Sequence, residues 1–365
     1  MNAFTKEDLK RFQAESLSDK VQRSLAKISE WFSYWDNNVY VAFSGGKDST
    51  VLSDLRGLWC SLSKTTLYLV FVDTGLEYPE IKKHVQFIAE WLRQKYDIEV
   101  VLEILRPQMR FDEVIKHYGY PMISKEVSKC VSSARRLDSK YGQVCRDRLN
   151  GTHKQKSGEL SLFNCEKYKP LLDMDFDISH RCCDIMKKSP SHDYAKRTGR
   201  KPMTGQMADE SRMREQQWIK HGCNGFNMSS PISNPMSFWT EQDVLQYIKK
   251  HEIPIASVYG EVGYTEHPEQ LRIEDLGIEC EGCEELRLTG CQRTGCIFCG
   301  FGCHLEKSPS RFELLKKTHP RQYEYCIGGG EYNENGVWQP NKKGLGMGHV
   351  FEELNKIYGE GFIKY

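Results

Sequence analysis

Residues 39–50, VYVAFSGGKDST, join a short β-branched and aromatic run to a Ser-Gly-Gly-Lys-Asp-Ser turn, after which apolar spacing suits a helix from Thr50. In that order the residues make an anion site. Gly45 and Gly46 allow tight backbone conformations and close ligand approach, so successive N–H groups converge on phosphate oxygens at the positive end of the helix. Lys47 adds a point charge, Ser44 and Ser49 donate hydroxyl hydrogen bonds, and Asp48 helps place a metal ion such as Mg²⁺. An ordinary glycine turn is the alternative reading; six ordered residues between a strand and a helix weigh against it. The spacing is not the Walker pattern, which needs four residues between its first Gly and the Gly-Lys pair.

The fourteen cysteines are the second chemical signal. Cys182 and Cys183 are adjacent, while Cys280, Cys283, Cys291, Cys296, Cys299 and Cys303 crowd into a Gly-rich stretch. A CxxC such as Cys296–Cys299 lets two thiolates from one tight turn reach one centre, and thiolate-only ligation suits either iron-sulfur or zinc. The run Cys291, Cys296, Cys299, Cys303 could instead close a compact local site, and Cys280 with Cys283 could complete a second, zinc-binding one. Cys303, beside His304, is a candidate working thiol. Cys60, Cys130, Cys145 and Cys165 are scattered singly and read as small buried residues.

Regular alternation of elements must position the loop. Residues 6–36 suit an amphipathic N-terminal helix, followed by strands at 39–43, 67–73 and 98–105 with helices between them. Such alternation predicts βαβ units and an α/β, doubly wound, mostly parallel sheet, whose ligands bind beyond the carboxyl ends of the strands. Asp73, at the end of its strand, is then placed to meet a nucleotide on the 44–49 loop. Residues 202–205 end a further short strand at Gly205, and Thr240 with Asp243 forms a capping signature ahead of a helix. The expected domains are an N-terminal helical segment at 1–36, a nucleotide-binding domain at 37–260 and a Cys-rich region with a terminal helix at 261–365. Residues 138–170, polar and weakly periodic, read as an insertion or a mobile lid.

Composition narrows the class only a little. The chain has 365 residues, 39% of them hydrophobic, enough for one large core or two smaller ones. Its first twenty residues lack the apolar core of a signal peptide and no stretch approaches a membrane span, so a cytoplasmic protein with no membrane partner is expected. Fifty-one basic against fifty acidic side chains leave a net charge of +1 and no global case for nucleic acid. Two local basic runs, 187–201 and 135–148, are solvated faces or nucleic-acid contacts. Arg212 and Arg214 either clamp a phosphate or form surface ion pairs with acidic neighbours such as Asp209 and Glu210.

The SGGKDS turn resembles the PP-loop of ATP pyrophosphatases, which split ATP between the α and β phosphates. VDTGLEYPE (72–80), HRCCDIMKKSP (180–190), TGQMADESRMR (204–214) and PISNPMSFWTEQDVLQYIKKHEIPIASVY (231–259) are similar, in order and character, to the phosphoadenosine phosphosulfate (PAPS) reductase family. The resemblance implies an adenine nucleotide α-hydrolase-like fold and adenylyl chemistry on an ATP or other nucleotide substrate. Lys47, Asp48, Arg212 and Cys303 are the implied catalytic residues, with Ser44, Gly45, Gly46, Ser49, Asp73 and Gly205 binding the nucleotide. Iron-sulfur members hold a [4Fe-4S] cluster with a Cys pair and a distant CxxC, which implies Cys182, Cys183, Cys296 and Cys299 as ligands here, joined by Cys291 from the local run. The reductases carry a C-terminal Glu-Cys-Gly-Leu-His segment absent from this chain, and their phosphate loop is degenerate where this one is intact. Both departures point toward an adenylylating sulfurtransferase, with a sulfonucleotide reductase using Cys303 or Cys326, or a non-catalytic nucleotide-binding subunit, as alternatives. The implied partners are a sulfur donor such as a cysteine desulfurase and a nucleic-acid acceptor; a homo-oligomer is left open.

Overall fold

The computed structural model describes residues 4–136, 140–264 and 285–365. Helices α1 (Lys6–Gln13) and α2 (Leu17–Tyr34) lead into β1 (Val39–Ala42), α3 (Lys47–Ser63), β2 (Leu67–Val72), α4 (Pro79–Tyr96) and β3 (Val100–Leu105). Next come α5 (Phe111–Tyr118), β4 (Met122–Ile123), α6 (Lys125–Ala134), α7 (Lys140–Leu149), α8 (Ser189–Thr198) and β5 (Lys201–Met203). They are followed by α9 (Arg212–His221), β6 (Asn224–Gly225), β7 (Ile232–Ser233), α10 (Glu241–Lys250), β8 (Val262–Tyr264) and β9 (Leu286–Leu288). The chain closes with β10 (Gly300–Phe301), α11 (Arg311–Thr318), α12 (Pro320–Ile327), β11 (Glu331–Tyr332), β12 (Trp338–Gln339) and α13 (Met347–Tyr358). Among the described residues no helix is long and apolar enough to cross a membrane.

Two units are present, and both are discontinuous in sequence. The first takes Met1–Asp73, Glu77–Leu105 and Ser191–Thr294; the second takes Thr74–Leu76, Arg106–Pro190 and Gly295–Tyr365. Linear boundaries after residues 36 and 260 therefore do not coincide with them.

In the first unit one sheet runs in the order β3-β2-β1-β5-β7-β6, with parallel pairing everywhere except between β6 and β7. Val41 lies beside Leu69 on one flank and Met203 on the other. The chain thus winds outward from β1 to β3 and resumes on the opposite flank of β1, which puts the topological switch point, and so the expected ligand crevice, at the end of β1. Strand alternation divides the core between two faces. Tyr40, Ala42, Tyr68 and Val70 pack with Tyr194 and Ala195 of α8. Val39, Val41, Leu67, Leu69 and Phe71 are buried on the other face, where α3 contributes Val51, Leu52 and Leu55. This is the expected α/β sheet with helices on both sides.

Local chemistry moved two boundaries. The single N-terminal helix expected over 6–36 is two, because Thr5 and Ser16 each accept a hydrogen bond from an amide three residues on and so start separate helices. The buried Lys20 ammonium on the second of them lies 2.7 Å from both oxygens of Asp243, which fastens α2 to α10. Helix α3 begins at Lys47 rather than Thr50, with Gly46 as its cap, so Lys47 and Asp48 stand in its first turn.

The second unit is built around α6 and α7, which pack on each other and on a 3₁₀ segment at Glu166–Asp173. The polar stretch expected as an insertion or a mobile lid carries α7 and most of that segment, and the Cys165 amide donates to the Arg148 carbonyl at 2.9 Å. Arg135 donates to the carbonyls of Leu171, Met174 and Phe176, and Arg146 to that of Ala134. Those guanidiniums hold backbone groups of their own unit in place. A short parallel pairing of β4 with β10 sets Met122 beside Gly300, next to the CxxC.

Candidate phosphate loop and cysteine cavity

The loop after β1 has the geometry its residues imply. Gly45 sits at φ +72°, and a Cβ there would come within 2.8 Å of Ile81 Cγ2 and 2.9 Å of Val85 Cγ2, so both the conformation and the space require glycine. The Ser49 hydroxyl donates to the Gly46 carbonyl at 2.9 Å and accepts the Ser44 amide at 3.2 Å, closing the turn from inside. Ser44 is exposed at its rim, its hydroxyl 2.9 Å from that of Ser49. Gly205, after β5, packs so closely that a Cβ would lie 2.9 Å from the Asp48 carbonyl oxygen. The two strand ends that flank the switch point thereby meet at the loop.

Lys47 is buried, with its ammonium 3.2 Å from Glu241 Oε1, 3.5 Å from Asp48 Oδ1 and 3.4 Å from the Gln292 carbonyl. Burial opposes its charge, but the Asp48 and Glu241 carboxylates outweigh that and raise its pKa above the usual lysine value. Asp48 is pushed up by burial and by the nearby Glu210 and Glu241 carboxylates, against the pull of Lys47. One of its oxygens is buried without a hydrogen-bond partner. The Tyr259 hydroxyl accepts the Lys47 amide at 3.2 Å and lies 2.5 Å from the Thr294 hydroxyl.

Of the other predicted nucleotide residues, Asp73 directly follows β2 and pairs with Lys82 at 2.6 Å. Arg212 is exposed at the start of α9, whereas Arg214 pairs with Glu210, whose charge acts on Asp48. The arginine tied to the loop through a carboxylate is thus Arg214 rather than Arg212. Glu241, Tyr259, Gln292 and Thr294 were missed from sequence. Glu241 lay in plain view beside the Thr240–Asp243 capping signature, but nothing in a helix start says which loop it will face.

In the second unit Cys182, Cys183, Cys296 and Cys299 line one cavity with Leu76, Phe111, Pro121, Met186 and Lys187. The void among them is about 20 Å³, room for roughly one water. No group of three or more His, Cys, Asp or Glu among the described residues stands at metal-coordinating spacing. A π-helical turn, Asp184–Lys188, follows the Cys pair directly, and the two sulfurs lie 4.0 Å apart. The hydrogen bond between them and the Lys125 and Lys187 ammoniums bring Cys183 down to about 6 against burial, while Cys182 is pushed up by that hydrogen bond and by burial. Arg311 donates to the Cys299 carbonyl at 3.0 Å, adding a third cation.

The remaining predicted thiols fall elsewhere. Cys291 belongs to the first unit, where it hydrogen-bonds Tyr78 and burial raises its pKa; it does not line the cavity. Cys303 is 2% exposed, donates to the Gly300 carbonyl at 3.0 Å and is pushed up to about 12 by burial, which does not suit an accessible nucleophile. Cys326 is fully buried against Met347. Cys280 and Cys283 lie outside the described residues.

Comparison with known proteins adds three findings. The phosphoadenosine phosphosulfate reductase domain family matches residues 38–300. An uncharacterized protein of Methanocaldococcus jannaschii is 34% identical over 110 residues, which span 29% of this chain and 20% of that protein's length. NMN synthetase from Francisella tularensis aligns over 66% of this chain and 72% of its own at 13% identity, with a TM-score of 0.32, too low to carry an argument.

Proposed function

This chain belongs to the phosphoadenosine phosphosulfate reductase domain family, an enzyme family that uses adenine nucleotides, and on that premise we propose that it is an adenylylating ATP pyrophosphatase that activates an acceptor for sulfur transfer. The observation that carries the reading is the intact loop: a glycine-only turn opening a helix, with a buried lysine at its mouth. In this reading the amides at Gly45, Gly46 and Lys47 and the Ser49 hydroxyl hold the β and γ phosphates. An acceptor oxygen attacks the α phosphorus, pyrophosphate leaves toward the loop, and Lys47 stabilises the charge that develops on it. A sulfur nucleophile then attacks the activated atom of the acceptor and expels AMP with the acceptor's oxygen. Neither Cys303 nor Cys326 is exposed, which supports this reading over reduction of a sulfonucleotide by either thiol.

This reading calls for two further groups. Asp48 Oδ1, which faces the Lys47 ammonium without a hydrogen bond, and the nearby Glu210 and Glu241 carboxylates are the oxygen donors that would hold a hard divalent cation. Mg²⁺ there supplies charge neutralisation for the triphosphate. The cavity of four thiols, with Lys125, Lys187 and Arg311 to offset their charge, suits a polynuclear thiolate-ligated group. A [4Fe-4S] cluster held by Cys182, Cys183, Cys296 and Cys299 supplies sulfur or redox chemistry when bound, and zinc is the alternative.

The test is product analysis with labelled ATP, with and without candidate acceptors such as tRNA or DNA and a cysteine desulfurase as sulfur donor. AMP and pyrophosphate in equal amounts support the proposal. Sulfite released from a sulfonucleotide and a thiol reductant replaces it with reduction, and tight ATP binding without turnover under every combination replaces it with a non-catalytic subunit.

A further inference from the structure

Cys130 of α6 and Cys165, the residue that caps the 3₁₀ segment, lie far apart in sequence yet bring their sulfurs to 3.9 Å. The two environments differ. Cys130 is fully buried and its sulfur also reaches the Cys145 carbonyl at 3.3 Å, whereas Cys165 is only half-buried. Arg148 is buried beside the pair, held by Glu126 at 2.8 Å and by the Phe163 carbonyl at 2.8 Å. The hydrogen bond to Cys130 and the Arg148 guanidinium bring the Cys165 thiol down to about 7, against burial and Glu126. Cys130 is pushed the other way by the same hydrogen bond and by burial. A partly accessible thiolate beside a cation, with a protonated thiol within reach, is the arrangement that selects one cysteine for oxidation and a second to resolve it.

We propose that Cys165 and Cys130 form an oxidisable dithiol, separate from the cavity of Cys182, Cys183, Cys296 and Cys299, in which Cys165 reacts with a hydroperoxide and Cys130 closes a disulfide. The Cys165 thiolate attacks the distal peroxide oxygen, the O–O bond breaks, hydroxide or alkoxide leaves, and the sulfur becomes a sulfenic acid. The Cys130 sulfur then attacks the Cys165 sulfur, its proton leaves with the sulfenic hydroxyl as water, and an S–S bond remains. One peroxide is reduced by two electrons and two thiols are oxidised by two. Bonding requires the sulfurs to approach from 3.9 Å to about 2.05 Å. The product ties α6 to the segment beginning at Cys165, and a dithiol reductant returns it to the starting state.

The test uses the full-length, reduced, anaerobically purified protein treated with one equivalent of hydrogen peroxide, followed by alkylation and peptide mass mapping. The expected result is loss of two free thiols per chain and a linked peptide pair containing Cys130 and Cys165, ahead of any other disulfide. Cys130→Ser should leave Cys165 as a sulfenic acid that dimedone traps, and Cys165→Ser should lose the linkage altogether. The proposal is overturned if Cys165 stays alkylatable in the wild type while other thiols oxidise, a result that needs no variant to fold. It is also overturned if Cys130→Ser gives no dimedone adduct at Cys165. Neither readout involves ATP, so the outcome is independent of the function proposed above.

Discussion

The loop after β1 and the cysteine cavity are built by opposite means. The loop is one contiguous run whose ligand groups are mostly backbone amides, held by Gly45 in a conformation other residues resist. The cavity draws Cys182 and Cys183 together with a CxxC more than a hundred positions later in the sequence, and all its chemistry is in side chains. A site made of backbone depends on what is missing from its residues, namely a Cβ; a site made of side chains depends on what each one carries. The two should therefore fail differently under substitution.

The largest effect is expected at the exception, the one side chain the loop relies on. Lys47→Ala should lower AMP formation by about 100-fold or more, since removing one preorganised group that stabilises developing charge costs roughly 3 kcal/mol. Urea unfolding of the variant should show some loss of stability at neutral pH, because the Asp48 and Glu241 carboxylates lose their cation, so turnover is compared under conditions where both proteins are folded. Labelled-ATP turnover that matched the wild type would end the loop's claim to the chemistry.

Gly45→Ala comes next, and here stability should suffer with activity. The added Cβ meets Ile81 and Val85 inside 3 Å in a left-handed backbone, a combination worth about 2–4 kcal/mol from strain and overpacking together. A shift in the urea midpoint of the corresponding size is the check. In the cavity, by contrast, Cys183→Ser or Cys299→Ser should remove bound metal, read by absorption, metal content and acid-labile sulfide, and leave ATP affinity unchanged. Loss of both metal and nucleotide binding in a folded variant would mean that the two sites are not independent in the way their construction suggests.

A smaller, pH-dependent effect distinguishes the first unit. His84 on α4 is buried, with its ring 3.5 Å from the Thr50 hydroxyl, and burial lowers its pKa to about 4. Unfolding exposes the ring to water, where it takes up a proton near pH 6.5. Between those values the unfolded chain binds more protons than the folded one, so stability falls as pH drops through the window. Wild-type protein should lose about 2 kcal/mol more than His84→Gln between pH 7.5 and pH 5, measured by urea midpoints.

The same contrast explains how far the sequence could be read. Ser44 to Ser49 were legible because their order alone specifies the turn, and the alternating strands fixed which end of the sheet it would occupy. Gly205 was assigned from its strand end, and its close packing on Asp48 bears on why a glycine stands there. Tyr259, Gln292 and Thr294 could not be read, since an aromatic and two polar residues in a loop carry no sign of their destination. Cys130 and Cys165 show the same limit from the other side. Read singly they were ordinary small buried residues, and only the packing of α6 against the segment after α7 makes them a pair. Arg135 and Arg146, taken as part of a basic run, turned out to be bound to carbonyls of their own unit, a use that charge counting does not detect.

The Tyr259 hydroxyl on the Lys47 amide, and the two carboxylates on its ammonium, mean that the cradle is already satisfied by groups of the protein. Occupancy by a polyphosphate is then a swap of internal ligands for external ones, and the observed affinity is a difference between two sets of contacts. Under the proposed function, a weakly charged anion is expected to bind poorly, since it must compete with the resident hydroxyl and carboxylates. Selectivity for highly charged phosphate chains would then follow from these internal contacts.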